Sequence, residues 1–480
     1  GYKENSGYGQ QKLLLKHKKN SGAFSIKTTF SMTNLNQETA GFITGIDAYK
    51  ESDLKRENPN PEAFRDASSL RLLSDISRET KFGALTLKPY LRSIDMEFLQ
   101  HFLPGQPGEK NGHDSAGISI VLQSNSWWEL GAEVEYTDGF LEETQANPVQ
   151  GSAFLSATLP RGRHYDYDVT SSLAGVFIKS DYSLSDKALL SGSLRYQHTK
   201  YEYDNQMIDG RTRDDGTPCG FGGCRFSRPA DRDDSFETWS PSLGFIYKVR
   251  PDMQIFASVS RGFRAPQTTE LYRLQNNQIV ADIDEVELDS FEIGLRSQNI
   301  KSNYDVTLFS MKKDNFIFRD TQRQNVDNGE TSHRGIEING RYQINTELEA
   351  SLSFTYAEHE YDNNPRISRN NIAGNLIDTA PKTLGSARLL WKPRDNFDME
   401  LEWVHIGSYF QDPENQNKYD GHDLFHLRGQ IRVSKRSTIF THLKNLTDKN
   451  YAERADFAFG SHRYFVGTPR SLFIGFKRSF

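Results

Sequence analysis

Residues 128–136 read WELGAEVEY. Trp128, Leu130, Ala132, Val134 and Tyr136 alternate with Glu129, Gly131, Glu133 and Glu135. Successive side chains of a strand point to opposite faces, so this run has one apolar face and one acidic face. The same period recurs along the chain. Phe24, Ile26, Thr28, Phe30 and Met32 oppose Ser25, Lys27, Thr29 and Ser31. Phe291, Ile293 and Leu295 oppose Glu292, Gly294 and Arg296. Ile336, Ile338 and Tyr342 oppose Glu337, Asn339, Arg341 and Gln343, and Met399, Leu401 and Trp403 oppose Asp398, Glu400 and Glu402. The chain reads as all-β. No amphipathic helix of any length is found; one helical turn is expected inside a loop at 61–68.

The connections narrow the architecture. Short ones at 19–22, 78–83, 124–126, 184–187, 250–252, 297–303, 344–347, 393–396 and 434–437 alternate with long ones. The long ones fall at 34–69, 98–114, 137–168, 204–236, 262–288, 315–334, 357–382, 408–422 and 446–469. Each short turn joins a strand pair, and a last strand runs over 470–480, giving about 19 antiparallel strands. A soluble sandwich would bury its apolar faces. A transmembrane barrel turns them to lipid, with short periplasmic turns and long extracellular loops. The strict alternation of loop lengths favours the barrel. Aromatics expected near strand ends (Tyr90, Tyr136, Tyr182, Tyr196, Tyr247, Tyr342, Tyr356, Trp391, Trp403) fit interfacial girdles.

Composition agrees. The 480 residues carry 58 Lys plus Arg against 64 Asp plus Glu, a net charge of −6 that argues against a nucleic-acid partner. Mean hydropathy is −0.69, and no apolar run is long enough for a membrane helix. The 31 Phe, 21 Tyr and 5 Trp exclude a disordered chain. With a final strand ending in the periplasm, the first strand counts back to a downward one, so at least one strand is expected before residue 1.

Several segments resemble the barrel of TonB-dependent outer-membrane receptors. SRGFRAPQTTELY at 260–272, with Arg261, Gly262, Phe263, Arg264 and Pro266, is similar to a segment of that family's barrel. HRGIEI at 333–338 resembles its arginine-glycine strand opening, and TAPKTLGS at 379–386 the start of a late strand, with a lysine substituted. The tail at 445–480 resembles its C-terminal signature throughout. There Leu472, Ile474, Phe476 and the terminal Phe480 look like the signal read by the barrel-assembly machinery, from which Arg478 departs. Family barrels are 22-stranded, which implies that residues 1–480 are a barrel domain incomplete at its N-terminus, without plug domain, TonB box and about three first strands. Phe263-Arg264-Ala265-Pro266 also occurs in the family's haem receptors. No histidine lies between Pro266 and Lys301, and ADIDEVELDS replaces the usual box, so haem is not expected.

Few residues suggest chemistry. Cys219 and Cys224 flank four residues, three of them glycine, in a long connection. A local disulfide is the favoured reading, against half a metal site or free thiols. The same loop carries Arg211, Arg213, Arg225, Arg228 and Arg232 among five aspartates. Arg161, Arg163, His164, Tyr165 and Tyr167 form a second basic-aromatic group. Each is either a solvated, self-paired surface or a contact for an anionic metal chelate, through bidentate hydrogen bonds and stacking. Arg161, Arg163, Tyr165, Arg213, Arg225 and Arg228 are the ligand-binding candidates. The 12 histidines are scattered; His422 and His426 share a strand face, but no metal site or cofactor is expected. No catalytic constellation appears, so the chain is read as a non-enzyme.

The resemblance implies uptake of a bulky nutrient, a ferric siderophore first, across a Gram-negative outer membrane. The inner-membrane TonB system would supply energy through a plug, and lipid, lipopolysaccharide and the assembly machinery are implied partners. The alternatives are a vitamin B12 or carbohydrate receptor of the same family, a passive porin-like barrel, or a soluble β-rich binding protein.

Overall fold

A computed structural model describes residues 2–479. Nineteen strands form one antiparallel sheet. It runs as a plain meander from Tyr8–Ser21 and Phe24–Glu38 to Ser437–Lys444 and Ser471–Arg478, each long strand pairing with the next. Among the described residues no ladder joins the first strand to the last.

The alternation read from the sequence is the inside and outside of this wall. Leu130, Val134 and Tyr136 stand 44%, 54% and 52% exposed on the outer face. Their neighbours Glu133 and Glu135 point into the lumen. Arg92 donates to Glu135 at 3.2 Å, Thr137 donates to the same oxygen at 3.1 Å, and Arg195 pairs with Glu133. Charged groups in lipid are costly, so this ladder fixes which face is wet. One girdle assignment changes. Tyr90 lies mid-strand on the lumenal face, donating to Glu135, because Gly117 directly opposite leaves room for its ring. A Cβ on Gly117 would meet that ring at 2.5 Å. Tyr196 and Trp239 do sit together outside, ring centroids 4.8 Å apart.

The strands run further than the sequence pattern indicates. Trp128–Gln145 and Gly162–Ser183 have 18 and 22 residues, and the connection expected at 137–168 contracts to 146–161. That expected at 315–334 contracts to 320–324, between Ser302–Arg319 and Asn325–Gln343. Crossing the bilayer takes about 9–11 residues. The surplus stands above it, where the ladder satisfies the backbone and polar side chains meet water. Residues 61–68 form no helix; Phe64–Thr80 is already strand. Short helices occur instead at Ala153–Thr158 and Thr268–Tyr272.

Above the wall, loops from the two ends of the meander interlock. Ile43–Thr44 pairs with Tyr464 and Arg463 of the hairpin Ala452–Ala458/Ser461–Val466. Tyr49 packs on Tyr464 and Tyr419 at 4.8 and 5.6 Å. Leu472, Ile474 and Phe476 are exposed on the last strand; Phe480 lies outside the described residues. If the long-loop rim faces the medium, a membrane-impermeant maleimide on intact cells should label Asn147→Cys and Asp214→Cys but not Asn125→Cys or Asp395→Cys. Equal labelling of both pairs would refute the orientation.

Candidate ligand-binding vault

On one side of the barrel mouth, loops fold inward around a small core of their own. Tyr165, Tyr167 and Val169 come from the strand after residue 161, Tyr203 from Ala188–Asn205, and Phe226, Leu271, Tyr272 and Leu274 from two loops; all are buried. Their odd-numbered strand positions place the tyrosines on the lumenal face, opposite outward Val176 and Ile178. Tyr203 and Tyr272 stack at 4.3 Å, and the Tyr272 hydroxyl donates to Asp234 at 2.8 Å.

The motif at 260–272 explains how the chain enters the vault. Arg261 donates to both carboxylate oxygens of Asp289 on the next strand, at 2.6 and 2.5 Å. Arg264 makes a bidentate pair with Glu270 at 2.9 and 3.1 Å. Glu270 also accepts from the Gln267 backbone at 2.6 Å, closing a capping box that starts the helix Thr268–Tyr272 after Pro266. Gly262 and Phe263 belong to the preceding strand, Met253–Arg264. The motif is therefore a structural corner. It delivers Tyr272 and Arg273 inward.

Arg273 is the centre of a buried polar network that local sequence reading misses. Its guanidinium donates to Glu109 at 2.9 Å, to Gln100 at 2.8 Å and to Glu143. Gln100 donates to Glu109 at 2.8 Å and Glu143 at 3.1 Å. His164 Nδ1 lies 3.2 Å from Glu143, its Nε2 2.8 Å from the Pro160 carbonyl, and its ring stacks on Phe226 at 4.2 Å. Burial pulls Arg273 down, but Glu143 and Glu109 outweigh it and hold its pKa above the ordinary arginine value. The network ties three loops, through Gln100, Pro160 and Arg273, to three strand ends, at Glu109, Glu143 and His164. Its members are far apart in sequence, so no motif announces it.

The six candidates separate. Arg228 is 1% exposed and bonded only to the protein: Nε donates to the Ile208 carbonyl at 2.7 Å, Nη1 to that of His164 at 3.1 Å, and Nη2 to Thr212 O and Oγ1 at 2.8 and 3.0 Å. Among the described residues no carboxylate forms an ion pair with it, and burial lowers its pKa against the opposing pull of Tyr165, Tyr203, Asp214 and Asp209. Tyr165 is 2% exposed and donates to the Leu274 carbonyl. Both are ligand-binding candidates that the structure places inside the vault wall, where backbone acceptors replace the hydrogen bonds to water that burial removes. Arg161 and Arg163 are exposed; the first donates to the Ala146 carbonyl at 2.9 Å and the second pairs with Asp166. Arg213 is exposed and Arg225 half-buried, and among the described residues neither has an ion-pair partner. A seventh residue, again an arginine, joins them. Arg319, at the top of Ser302–Arg319, donates to the Asn325 side chain at 3.1 Å, pairs with no described carboxylate, and feels the charge of Arg225. Asn276 links the two regions, its amide donating to the Arg225 carbonyl at 2.9 Å and its side chain to Gln322 O at 2.8 Å.

Cys219 and Cys224 form a disulfide, with Cys224 fully buried against the vault core. His422 and His426 do not converge: the first lies 2.9 Å from the Tyr419 hydroxyl, and the second accepts the Asn445 amide at 3.0 Å. Among the described residues no three His, Cys, Asp or Glu side chains are grouped to hold a metal.

A wall of antiparallel strands with a wet lumen, short turns at one rim and inward-folded loops at the other is the architecture of an outer-membrane-type β-barrel. The chain belongs to the TonB dependent receptor-like, beta-barrel family, whose model matches residues 17–446, a family of outer-membrane β-barrels. The metal-pseudopaline receptor CntO of Pseudomonas aeruginosa is 21% identical over 242 residues, 48% of this chain and 32% of that protein. An uncharacterized TonB-dependent receptor of Haemophilus influenzae is 25% identical over 224 residues, 45% of this chain and 57% of that one. The matches thus span less than two thirds of either relative's length. Among solved structures, the ferric citrate transporter FecA is 15% identical with a TM-score of 0.78, over 99% of this chain and 71% of that one. The siderophore receptor PiuA of Acinetobacter baumannii is 13% identical with a TM-score of 0.76, over 98% and 74%. At such identities the structural likeness carries the fold.

Proposed function

We propose that this barrel serves TonB-energised uptake of an anionic metal chelate, a ferric siderophore in the first instance, across the outer membrane of a Gram-negative bacterium. The observation that supports this is the pair Arg225 and Arg319. These two guanidinium groups, partly or largely buried and without a carboxylate ion-pair partner among the described residues, stand beside a tyrosine-rich vault. Burying part of a cation unpaired is unfavourable unless something else neutralises it. A flat chelate with carboxylate or catecholate oxygens would do so while its rings lie against Tyr and Phe faces. CntO, named a metal-pseudopaline receptor, favours the same class. The energy source would be the inner-membrane TonB system, acting through a plug. The outward residues of the last strand, Leu472, Ile474 and Phe476, suit recognition by the barrel-assembly machinery, and the outer wall suits lipid and lipopolysaccharide.

The test is binding of iron-loaded and iron-free chelators to the full-length receptor in detergent. Arg225→Ala and Arg319→Ala should each weaken the iron-loaded form by about 1–3 kcal/mol per lost charge-assisted bond, and leave barrel assembly unchanged. If the receptor takes only cobalamin or neutral oligosaccharides, and both variants bind them normally, the chelate assignment fails and the family membership stands.

A further inference from the structure

Away from the vault, one row of lumenal side chains has no part in the network above. Three neighbouring strands, Ser302–Arg319, Asn325–Gln343 and Leu348–Tyr361, set Met311, His333 and His359 side by side. Met311 is the cross-strand partner of His333, and His333 is that of His359. All three stand on the lumenal face, since Leu308 and Tyr356, an odd number of residues away, are exposed on the outer one. Directly opposed residues have Cβ atoms roughly 4.5–5.5 Å apart, within reach of a thioether and an imidazole.

The two Nδ1 atoms lie 2.8 Å apart, with ring centroids at 5.0 Å. Such a contact holds one proton between two lone pairs. The other nitrogen of His333 lies 3.1 Å from the Thr331 hydroxyl, which orients the ring. Among the described residues no carboxylate forms an ion pair with either histidine. The donor set is therefore neutral: two imidazoles and one thioether. Lys313, two residues beyond Met311, places an ammonium charge near both rings, opposed less strongly at His333 by the Asp362 carboxylate. A dication would meet neutral ligands and a like charge. A monovalent soft ion meets the donors it prefers with half that repulsion.

We propose that Met311, His333 and His359 form a lumenal site for a soft monovalent metal ion of the copper(I) class. Binding separates the two Nδ1 atoms, because metal–imidazole bonds are about 2.0 Å and the ion must sit between them. The proton of the Nδ1–H ring moves to its own Nε2, so both rings remain neutral and no redox step occurs. The site does not depend on the nature of the chelate carried, so it stands or falls apart from the proposed function.

The experiment uses silver(I) as a redox-inert probe on the full-length receptor in detergent, followed by copper(I) in competition with bicinchoninate. One silver ion per chain is expected at this site. His333→Ala and His359→Gln should each lower affinity at least about tenfold, Met311→Leu less, and zinc(II) should bind at least about tenfold more weakly than silver(I) in wild type. A second readout needs no variant: silver(I) should protect His333 and His359 from diethyl pyrocarbonate, as located by mass spectrometry. Failure of wild type to bind silver(I), undiminished binding in a His333→Ala/His359→Gln double variant with native heat-modifiable mobility, or unprotected histidines would each overturn the proposal.

Discussion

Replacing Arg273 with methionine is expected to unlock one side of the barrel mouth while leaving the wall intact. Methionine keeps most of the side-chain volume, so the loss is that of charge. Glu109 and Glu143, whose side chains are each 6% exposed, would lose the guanidinium that holds both. Removing one partner from a buried charged network costs about 3–5 kcal/mol, because the remaining charges stay desolvated. Gln100 and His164 cannot compensate, since both already bond the same carboxylates. Hydrogen exchange should therefore rise in segments 100–107, 146–161 and 265–285, with chymotrypsin cutting there first at Phe102, Phe154 and Tyr272. The wall is held by ladders the substitution does not touch, so the heat-modifiable band on gels should persist. A second-site change gives the sharper check. Glu143→Gln in the Arg273→Met background should recover part of the protection, since an amide needs no counter-charge; in the wild-type background it should be destabilising. Wild-type exchange in Arg273→Met would remove the network from any structural role.

The second large effect is expected at Arg228. Three backbone carbonyls, of Ile208, His164 and Thr212, accept from one buried guanidinium. Arg228→Met leaves these carbonyls without donors in an apolar setting, at about 1–3 kcal/mol for each group that water cannot reach. Arg228→Lys should recover only part, because an ammonium cannot match a planar fork aimed at three separate acceptors. The loss should appear in the loop the residue braces. Amides near Gly210 and Cys224 should exchange faster, and the Cys219–Cys224 disulfide should become accessible to a mild reductant, since Cys224 is now fully buried. Arg225→Ala, three residues away, should change none of this, because its guanidinium braces nothing among the described residues. If the two substitutions loosen the loop equally, the division between bracing and ligand-facing arginines is wrong.

Much of the fold was legible because a barrel wall repeats one local rule. Each strand alternates every two residues, and each alternation reports lipid or lumen without reference to any distant residue. The nine short turns, the strand number and the outward aromatics at Tyr136, Tyr196 and Trp403 follow from that rule. Tyr90 escaped it because its environment is set by Gly117 across the ladder. Strand ends escaped it too. Above the bilayer both faces are polar, so the period fades while the hydrogen-bonded ladder continues, as in Gly162–Ser183.

The candidate site was legible only as a set of residue types. Arginines and tyrosines in long connections pointed to loops that pack together at the barrel mouth, but nothing in the order of residues separates Arg228, buried against carbonyls, from Arg225, which has no such acceptors among the described residues. Arg273 had no signal beyond following the helix at 268–272, and Arg319 none at all. By itself, then, the sequence determined the all-β wall, the inside and outside of each strand, the loop rim and the family, since each depends on local period or contiguous motif. Only the tertiary structure decided which cations are braced, which carboxylates share Arg273, and that Met311, His333 and His359 form one row. Those choices depend on burial and on contacts between segments tens to hundreds of residues apart, where the free energy of a charge is set by its neighbours in space rather than in sequence.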